Sequence, residues 1–125
     1  MDKPILIVVD DEVNMSKFVA FVGESLGFDT RICITGNSFK EEFSSSSPDL
    51  VVMDIAIPDI DAIELLRWLS EEGCDTPVIL MSGYGENILD WARELGISWG
   101  IPIRDVLLKP IPMQDLENAI NKCMA

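Results

Sequence analysis

The chain has 125 residues, 48% of them hydrophobic, which suits one domain built around a single core. Its formal net charge is −13, so we expect nucleic-acid phosphates and anionic membrane surfaces to repel it. Histidine is absent, which excludes Ser/His/Asp triads, Cys/His dyads and zinc sites with histidine ligands, and leaves hard cations with oxygen ligands as candidate metals.

Strand-like and helix-like segments alternate along the chain. Short apolar runs predict strands, and apolar residues at three- and four-residue spacing predict helices. Gly27, Gly73 and Gly96 are the predicted helix ends. In chain order, the predicted elements are strand Pro4–Val9, helix Asn14–Leu26, strand Phe28–Ile34, helix Thr35–Ser47, strand Asp49–Met53, helix Ala62–Glu72, strand Thr76–Met81, helix Glu86–Leu95, strand Val106–Leu108 and a helix that begins near Pro112.

Five strand–helix units in succession predict an α/β fold, a doubly wound five-stranded parallel sheet with helices on both faces. The three cysteines, Cys33, Cys74 and Cys123, lack CxxC spacing, and we expect small buried side chains in a reducing compartment. No apolar run approaches the roughly 20 residues of a membrane span, and the acids at positions 10–12 come too early for a signal peptide. A cytoplasmic protein is therefore expected.

Chemically active side chains follow four of the predicted strands at the point where each strand ends. The carboxyl ends of parallel strands lie at one edge of the sheet, so these side chains should share one site. Carboxylates crowded there repel one another, and a divalent cation such as magnesium removes the conflict. The residues are Asp10, Asp11 and Glu12 after the first strand, Asp54 after the third, Ser82 and Gly83 after the fourth, and Lys109 after the fifth.

Carboxylates, magnesium, a lysine and a hydroxyl together favour phosphoryl transfer, with a carboxylate as the attacking nucleophile. The Asp10-Asp11 pair, the D-x-x-x-P of Asp54 and Pro58, Ser82 and Lys109-Pro110, in this order, resemble the receiver domains of bacterial two-component response regulators. The resemblance covers the whole chain. It implies a flavodoxin-like sheet of order 2-1-3-4-5 and a signalling switch with only weak self-catalysed phosphorylation and dephosphorylation, not a conventional enzyme.

The resemblance also implies roles for single residues. Asp54 would be the phosphoacceptor, supplied by a phosphohistidine on a sensor histidine kinase or phosphotransfer protein. Ser82 would be the hydroxyl that swings in to bond the phosphoryl group, and Lys109 the counter-ion of that group.

For the metal, the resemblance implies that Asp11 and Asp54 bind magnesium directly, or manganese in its place. Asp10 would act nearby, partly through water, and the backbone carbonyl of Ala56 would be the third protein ligand. Residues 1–125 would form a single receiver domain, either a complete regulator or a part of a longer one.

The chain departs from the family pattern at several positions. Val106 stands where the family usually carries an aromatic that packs inward on activation, so we expect phosphorylation to be read out in some other way. Ala62 and Gly83 replace a common glycine and a common alanine. The link over residues 96–109 is longer than usual, and in this it resembles receivers attached to cyclic-di-GMP phosphodiesterase output domains.

The family's output face consists of the fourth helix, fifth strand and fifth helix, and it can also form dimers. In the fourth helix we expect Ile88, Ala92 and Leu95 to face the core. Leu89 and Trp91 lie off that stripe and, with Trp99, mark either a partner surface or packing over the sheet edge.

Structural roles compete with the functional ones. Asp10 or Asp11 could cap the first helix, Asp54 a turn and Ser82 the fourth helix, while Lys109 could be a solvated charge. Glu12 at the rim of the site, with Asp59 and Asp61 in a loop, is expected to be solvated. Two other functions remain open: a haloacid-dehalogenase-type phosphohydrolase with Asp10 as nucleophile, and a degenerate receiver that serves only as a docking scaffold.

Overall fold

The computed structural model describes residues 2–125, which form five strands and five helices in strict alternation. The five strands make one parallel sheet in the order β2-β1-β3-β4-β5, so the predicted doubly wound fold is confirmed. The elements are β1 (Ile5–Val9), α1 (Val13–Ser25), β2 (Asp29–Cys33), α2 (Gly36–Ser46), β3 (Leu50–Asp54), α3 (Ala62–Glu71), β4 (Val78–Ser82), α4 (Glu86–Ser98), β5 (Ile103–Leu108) and α5 (Met113–Cys123).

The core has two halves, one on each face of the sheet. In β1, Ile7 and Val9 point to the half that contains α3 and α4, while Leu6 and Val8 point to the half that contains α1 and α5. Because both faces are covered, the central strands are apolar without alternation, as the run at the start of the chain predicts. All five residues of β3 are buried in the same way.

The register of the strands aligns their carboxyl ends. Val9 pairs with Met53, and Asp54 pairs with Met81. At the next interface Ser82 pairs with Leu108, directly before Lys109. The residues that follow β1, β3, β4 and β5 therefore meet at one edge of the sheet, as expected.

The boundaries around α4 correct the sequence-based prediction. Gly96 does not end the helix, which continues to Ser98 and is followed by Gly100 at φ 86°. A Cβ at Gly96 would lie 3.0 Å from Cγ1 of Ile103, so glycine here permits close packing of α4 on β5. Since β5 begins at Ile103, the long predicted link shrinks to residues 99–102.

The predicted core face of α4 is also partly wrong. Leu89, Ala92 and Gly96 face the core, whereas Ile88 is exposed. Trp91 is exposed too, and its role at a partner surface stays a prediction. Trp99 is half-buried against the core half of α3 and α4; the hydroxyl of Ser70 donates to its carbonyl oxygen at 2.7 Å.

The remaining predictions on the fold concern cysteines and membrane segments. Cys33 and Cys74 are buried, as expected, while Cys123 is half-buried. None of the helices within residues 2–125 is long and apolar enough to cross a bilayer.

Candidate functional site

The sheet edge brings together the residues that the sequence singles out. Asp10, Asp54 and Ser82 lie at the ends of β1, β3 and β4, and all three are buried. Asp11 is exposed to solvent beside them. Full burial of Asp10 requires partners for its charge, because an isolated carboxylate inside a protein is strongly disfavoured.

Lys109 is the charged partner of the buried carboxylates. Its Nζ donates to Oδ2 of Asp10 at 2.8 Å and to Oδ2 of Asp54 at 3.0 Å. Glu12 lies 3.9 Å from the same nitrogen with a largely exposed side chain, which agrees with its expected place at the rim. The alternative of a solvated Lys109 is wrong, since its side chain is only 16% exposed.

A backbone N–H donates to the second carboxylate oxygen of both Asp10 and Asp54. Oδ1 of Asp10 accepts from the N–H of Glu12 at 2.9 Å, and Oδ1 of Asp54 accepts from the N–H of Ala56 at 3.0 Å. Asp54 therefore does stabilise a turn, in addition to facing the site. Within residues 2–125, neither Asp10 nor Asp11 caps α1, whose N-cap residue is Glu12 without a side-chain bond.

Ser82 stabilises the loop between β4 and α4. Its Oγ accepts from the N–H of Tyr84 at 2.9 Å. The N-cap residue of α4 is Gly85 at φ 110°, so the alternative in which Ser82 caps that helix is wrong. The Ser82 hydroxyl donates to no partner that the structure describes among residues 2–125, and its side chain is fully buried.

A cavity of about 360 Å³ opens at this edge. One carboxylate oxygen each from Asp10, Asp11 and Asp54 lies within 4.8 Å of the others, a spacing that suits a single hard cation. Ser82 is not among the residues that line the cavity. The lining residues are Asp10, Asp11, Glu12, Asp54, Ala56, Gly83, Tyr84 and Lys109.

Burial and hydrogen bonds shift the pKa values at the site. Burial raises the pKa of Asp54, although the N–H of Ala56 and the ammonium of Lys109 act in the opposite direction. For Lys109, burial lowers the pKa, but hydrogen bonds to Asp10 and Asp54 outweigh it, so the pKa lies above its ordinary value. The lysine is thus held in its charged form beside the carboxylates.

Two acids near the site have roles that the sequence analysis missed. Asp59, expected to be solvated, accepts from the N–H groups of Gly36 and Asn37 at 2.8 and 3.1 Å. Asp61 caps α3 through the N–H of Ile63. An aspartate directly before a helix favours an N-cap, so the role of Asp61 could be predicted from the sequence. The contact of Asp59 with α2 joins residues far apart in the chain, and no local pattern predicts it.

Comparison with known families agrees with the geometry. A family model described as the response regulator receiver domain matches residues 5–121. The chain belongs to this family. The receiver fold and the predicted part in two-component signalling are thereby confirmed, and so is the expectation that the chain is not a conventional enzyme. Membership also rules against the haloacid-dehalogenase alternative.

Individual relatives of this receiver domain are regulators. Regulatory protein AtoC of Escherichia coli K12 is 35% identical over 119 residues, which are 95% of this chain and 25% of the relative. Regulator of RpoS from the same strain is 36% identical over 109 residues, 87% of this chain and 31% of the relative. The chain thus spans only a quarter to a third of the length of these two proteins.

Among solved structures, the receiver domain of the Francisella response regulator 1452 superposes with a TM-score of 0.83 at 26% identity. The match covers 96% of this chain and 95% of that one. The likeness therefore extends over the complete fold, from the first strand to the last helix.

Proposed function

We propose that this receiver domain accepts a phosphoryl group on Asp54 from a phosphohistidine of a histidine kinase or phosphotransfer protein. The P–N bond of the donor breaks, a P–O bond to the Asp54 carboxylate forms, and the imidazole nitrogen leaves. The observation that carries the proposal is the buried Asp54 carboxylate, which shares one cavity with Asp10, Asp11 and Lys109.

Asp10, Asp11, Asp54 and the carbonyl of Ala56 would hold Mg²⁺, or Mn²⁺ in its place. The spacing of the three carboxylates supports this assignment. The cation would neutralise charge on the phosphoryl oxygens. The chain itself orients the acceptor, because the amide of Ala56 fixes Oδ1 of Asp54 and leaves the other oxygen toward Lys109.

Lys109 and Ser82 would respond to the new group. Lys109 lies 3.0 Å from Asp54, so its ammonium can pair with a phosphoryl group there after a small movement. The Ser82 hydroxyl has a free proton to donate, and its Oγ also holds the amide of Tyr84. Rotation of Ser82 would therefore release the loop over residues 83–85. This gives a route for readout that does not need an aromatic at Val106.

We further propose a cytoplasmic domain, residues 1–125, that signals through the face formed by α4, β5 and α5. The exposed Leu108 and Met113 on that face support a contact role. An output domain, a cyclic-di-GMP phosphodiesterase among the candidates, or a dimer formed on phosphorylation would use this surface.

The test is incubation with acetyl phosphate and Mg²⁺, read by intact mass and by peptide mapping. We expect one added phosphoryl group, lost in Asp54→Asn and retained in the matched variant Asp75→Asn, which changes an exposed aspartate away from the site. Labelling that persists in Asp54→Asn contradicts the assignment. No labelling of the wild type would support the docking-scaffold alternative instead.

A further inference from the structure

A groove separate from the acidic site runs between α4, β5 and the start of α5, with a volume of about 400 Å³. Its apolar lining includes Leu89, Val106, Leu108 and Ile111. Leu89 and Ile111 are buried, while Leu108 is 41% exposed. Because Val106 has a short side chain, it leaves space where a larger residue would fill the groove. The groove can thus receive apolar side chains from outside.

Acidic residues border this groove on both sides. Glu86 and Asp90 lie one turn apart on α4, and Asp115 lies across from them in the first turn of α5. All three are exposed, and within residues 2–125 none makes an ion pair shorter than 4.0 Å. No lysine or arginine of the described chain lines the groove; Arg93, three residues past Asp90, is outside the lining.

The acidic border of the groove indicates which kind of partner can bind there. A second copy placed symmetrically on this face would bring the same three acids against themselves, and each copy carries a net charge of −13. Nucleic acid and anionic lipid are repelled for the same reason. An apolar segment with positive charges complements both the lining and its border.

We propose that the groove binds a basic amphipathic helix of an output partner. Apolar side chains on one face of that helix would fill the space over Val106 and Leu108, and flanking lysine or arginine residues would pair with Glu86, Asp90 and Asp115. The proposal rests on the output role assigned above to this face, and it specifies the chemistry of the partner.

The probe is a fluorescein-labelled amphipathic helical peptide of leucine and lysine, with a leucine–glutamate peptide as its control. Anisotropy should show binding of the lysine peptide alone. Since any acidic protein attracts cations, two charge-matched double variants are compared. Asp90→Asn/Asp115→Asn should weaken binding about five- to tenfold, as expected for two lost rim charge pairs. Glu41→Gln/Glu71→Gln, at exposed positions outside the groove lining, should change it less than about twofold.

Leu108→Ser tests the apolar contribution at constant charge and should also weaken binding. Amide chemical shifts should move around Leu108 and Ile111 in the wild type. Equal weakening by both double variants, or shifts spread over the acidic surface, would overturn the proposal in favour of general charge attraction. A dimer in sedimentation that Leu108→Ser dissociates would assign the groove to a second copy.

Phosphorylation of Asp54 is measured on the same variants. A wild type that is labelled but does not bind the peptide refutes the groove proposal alone. A wild type that binds the peptide at the groove but is not labelled refutes the proposed phosphoryl acceptance and leaves the groove assignment intact.

Discussion

The ammonium nitrogen of Lys109 lies 3.0 Å from Oδ2 of Asp54, although the two residues are 55 positions apart in the chain. The same nitrogen lies 2.8 Å from Asp10. One cation thus stabilises two buried carboxylates that would otherwise repel each other. The contact also holds the candidate acceptor oxygen next to the group that would neutralise a phosphoryl charge.

Replacing Lys109 with an uncharged residue should destabilise the fold. In Lys109→Met, Asp10 and Asp54 lose their shared partner, and we expect the free energy of unfolding without Mg²⁺ to fall by about 2 to 4 kcal/mol. Urea denaturation at pH 7 measures it, with Lys122→Met, an exposed lysine on α5, as control. Adding Asp54→Asn should recover part of the loss. A Lys109→Met variant as stable as the wild type would show that the ion pairs are not needed for the fold.

Asp10 and Asp11 are neighbours with opposite surroundings. Asp10 is fully buried and accepts hydrogen bonds from Glu12 and Lys109, so Asp10→Asn should destabilise the fold by about 1 to 3 kcal/mol. Asp11 is exposed, so Asp11→Asn should leave stability unchanged or slightly raised while it weakens Mg²⁺ binding. Thermal melts and Mg²⁺ titration by calorimetry separate the two effects. Unfolding of Asp11→Asn at neutral pH would mark it as structural.

The raised pKa of Asp54 predicts a pH dependence. Burial is the cause, so above the ordinary pKa the folded state retains a proton that the unfolded chain releases. Stability is therefore lost as pH rises through the folded pKa. Asp54→Asn lacks this titration, so its stability relative to the wild type should rise as pH rises through the folded pKa and should not vary with pH well below the ordinary pKa.

Urea denaturation at a series of pH values, without divalent cations, measures this difference for Asp54→Asn. Mg²⁺ should then stabilise the wild type more than Asp54→Asn, because ligand binding stabilises the folded state. A difference that does not vary with pH would contradict the burial argument.

Asp59 ties the loop after β3 to the start of α2. Asp59→Ala removes the acceptor for the amides of Gly36 and Asn37, so these two should exchange with deuterium faster and the melting temperature should fall by a few degrees. Asp75→Ala serves as the exposed control. The lowered pKa of Asp59, due chiefly to the Gly36 amide, means that this contribution is lost as pH falls through the folded pKa.

The cysteines should differ in reactivity. Burial raises the pKa of Cys33 to about 11, and Cys74 is buried as well, so both should resist iodoacetamide at pH 8 in the folded protein. Cys123 is half-buried and should react first. Peptide mass spectrometry follows each site, and full reaction in urea is the control. Rapid native labelling of Cys33 would show that the β2 end opens readily.

Local patterns in the chain predict a large part of the fold and the site. Apolar runs mark strands covered on both faces, and acids directly after those runs mark the carboxyl edge of the sheet. These patterns predict that Asp10, Asp54, Ser82 and Lys109 lie together, and the structure has all four at that edge. Local propensity failed at Gly96, where close packing on Ile103 outweighs the tendency of glycine to end a helix.

By itself, the sequence determined the strand–helix alternation, the family pattern and the membership of the acidic site, because these depend on periodicity and on residue order. Only the tertiary structure decided which charges pair. Lys109 pairs with two carboxylates, and Asp59 accepts hydrogen bonds from the start of α2. The acids of α4 and α5 lie around the same apolar groove. Such contacts join residues far apart in the chain, and they depend on packing distances that no local pattern contains.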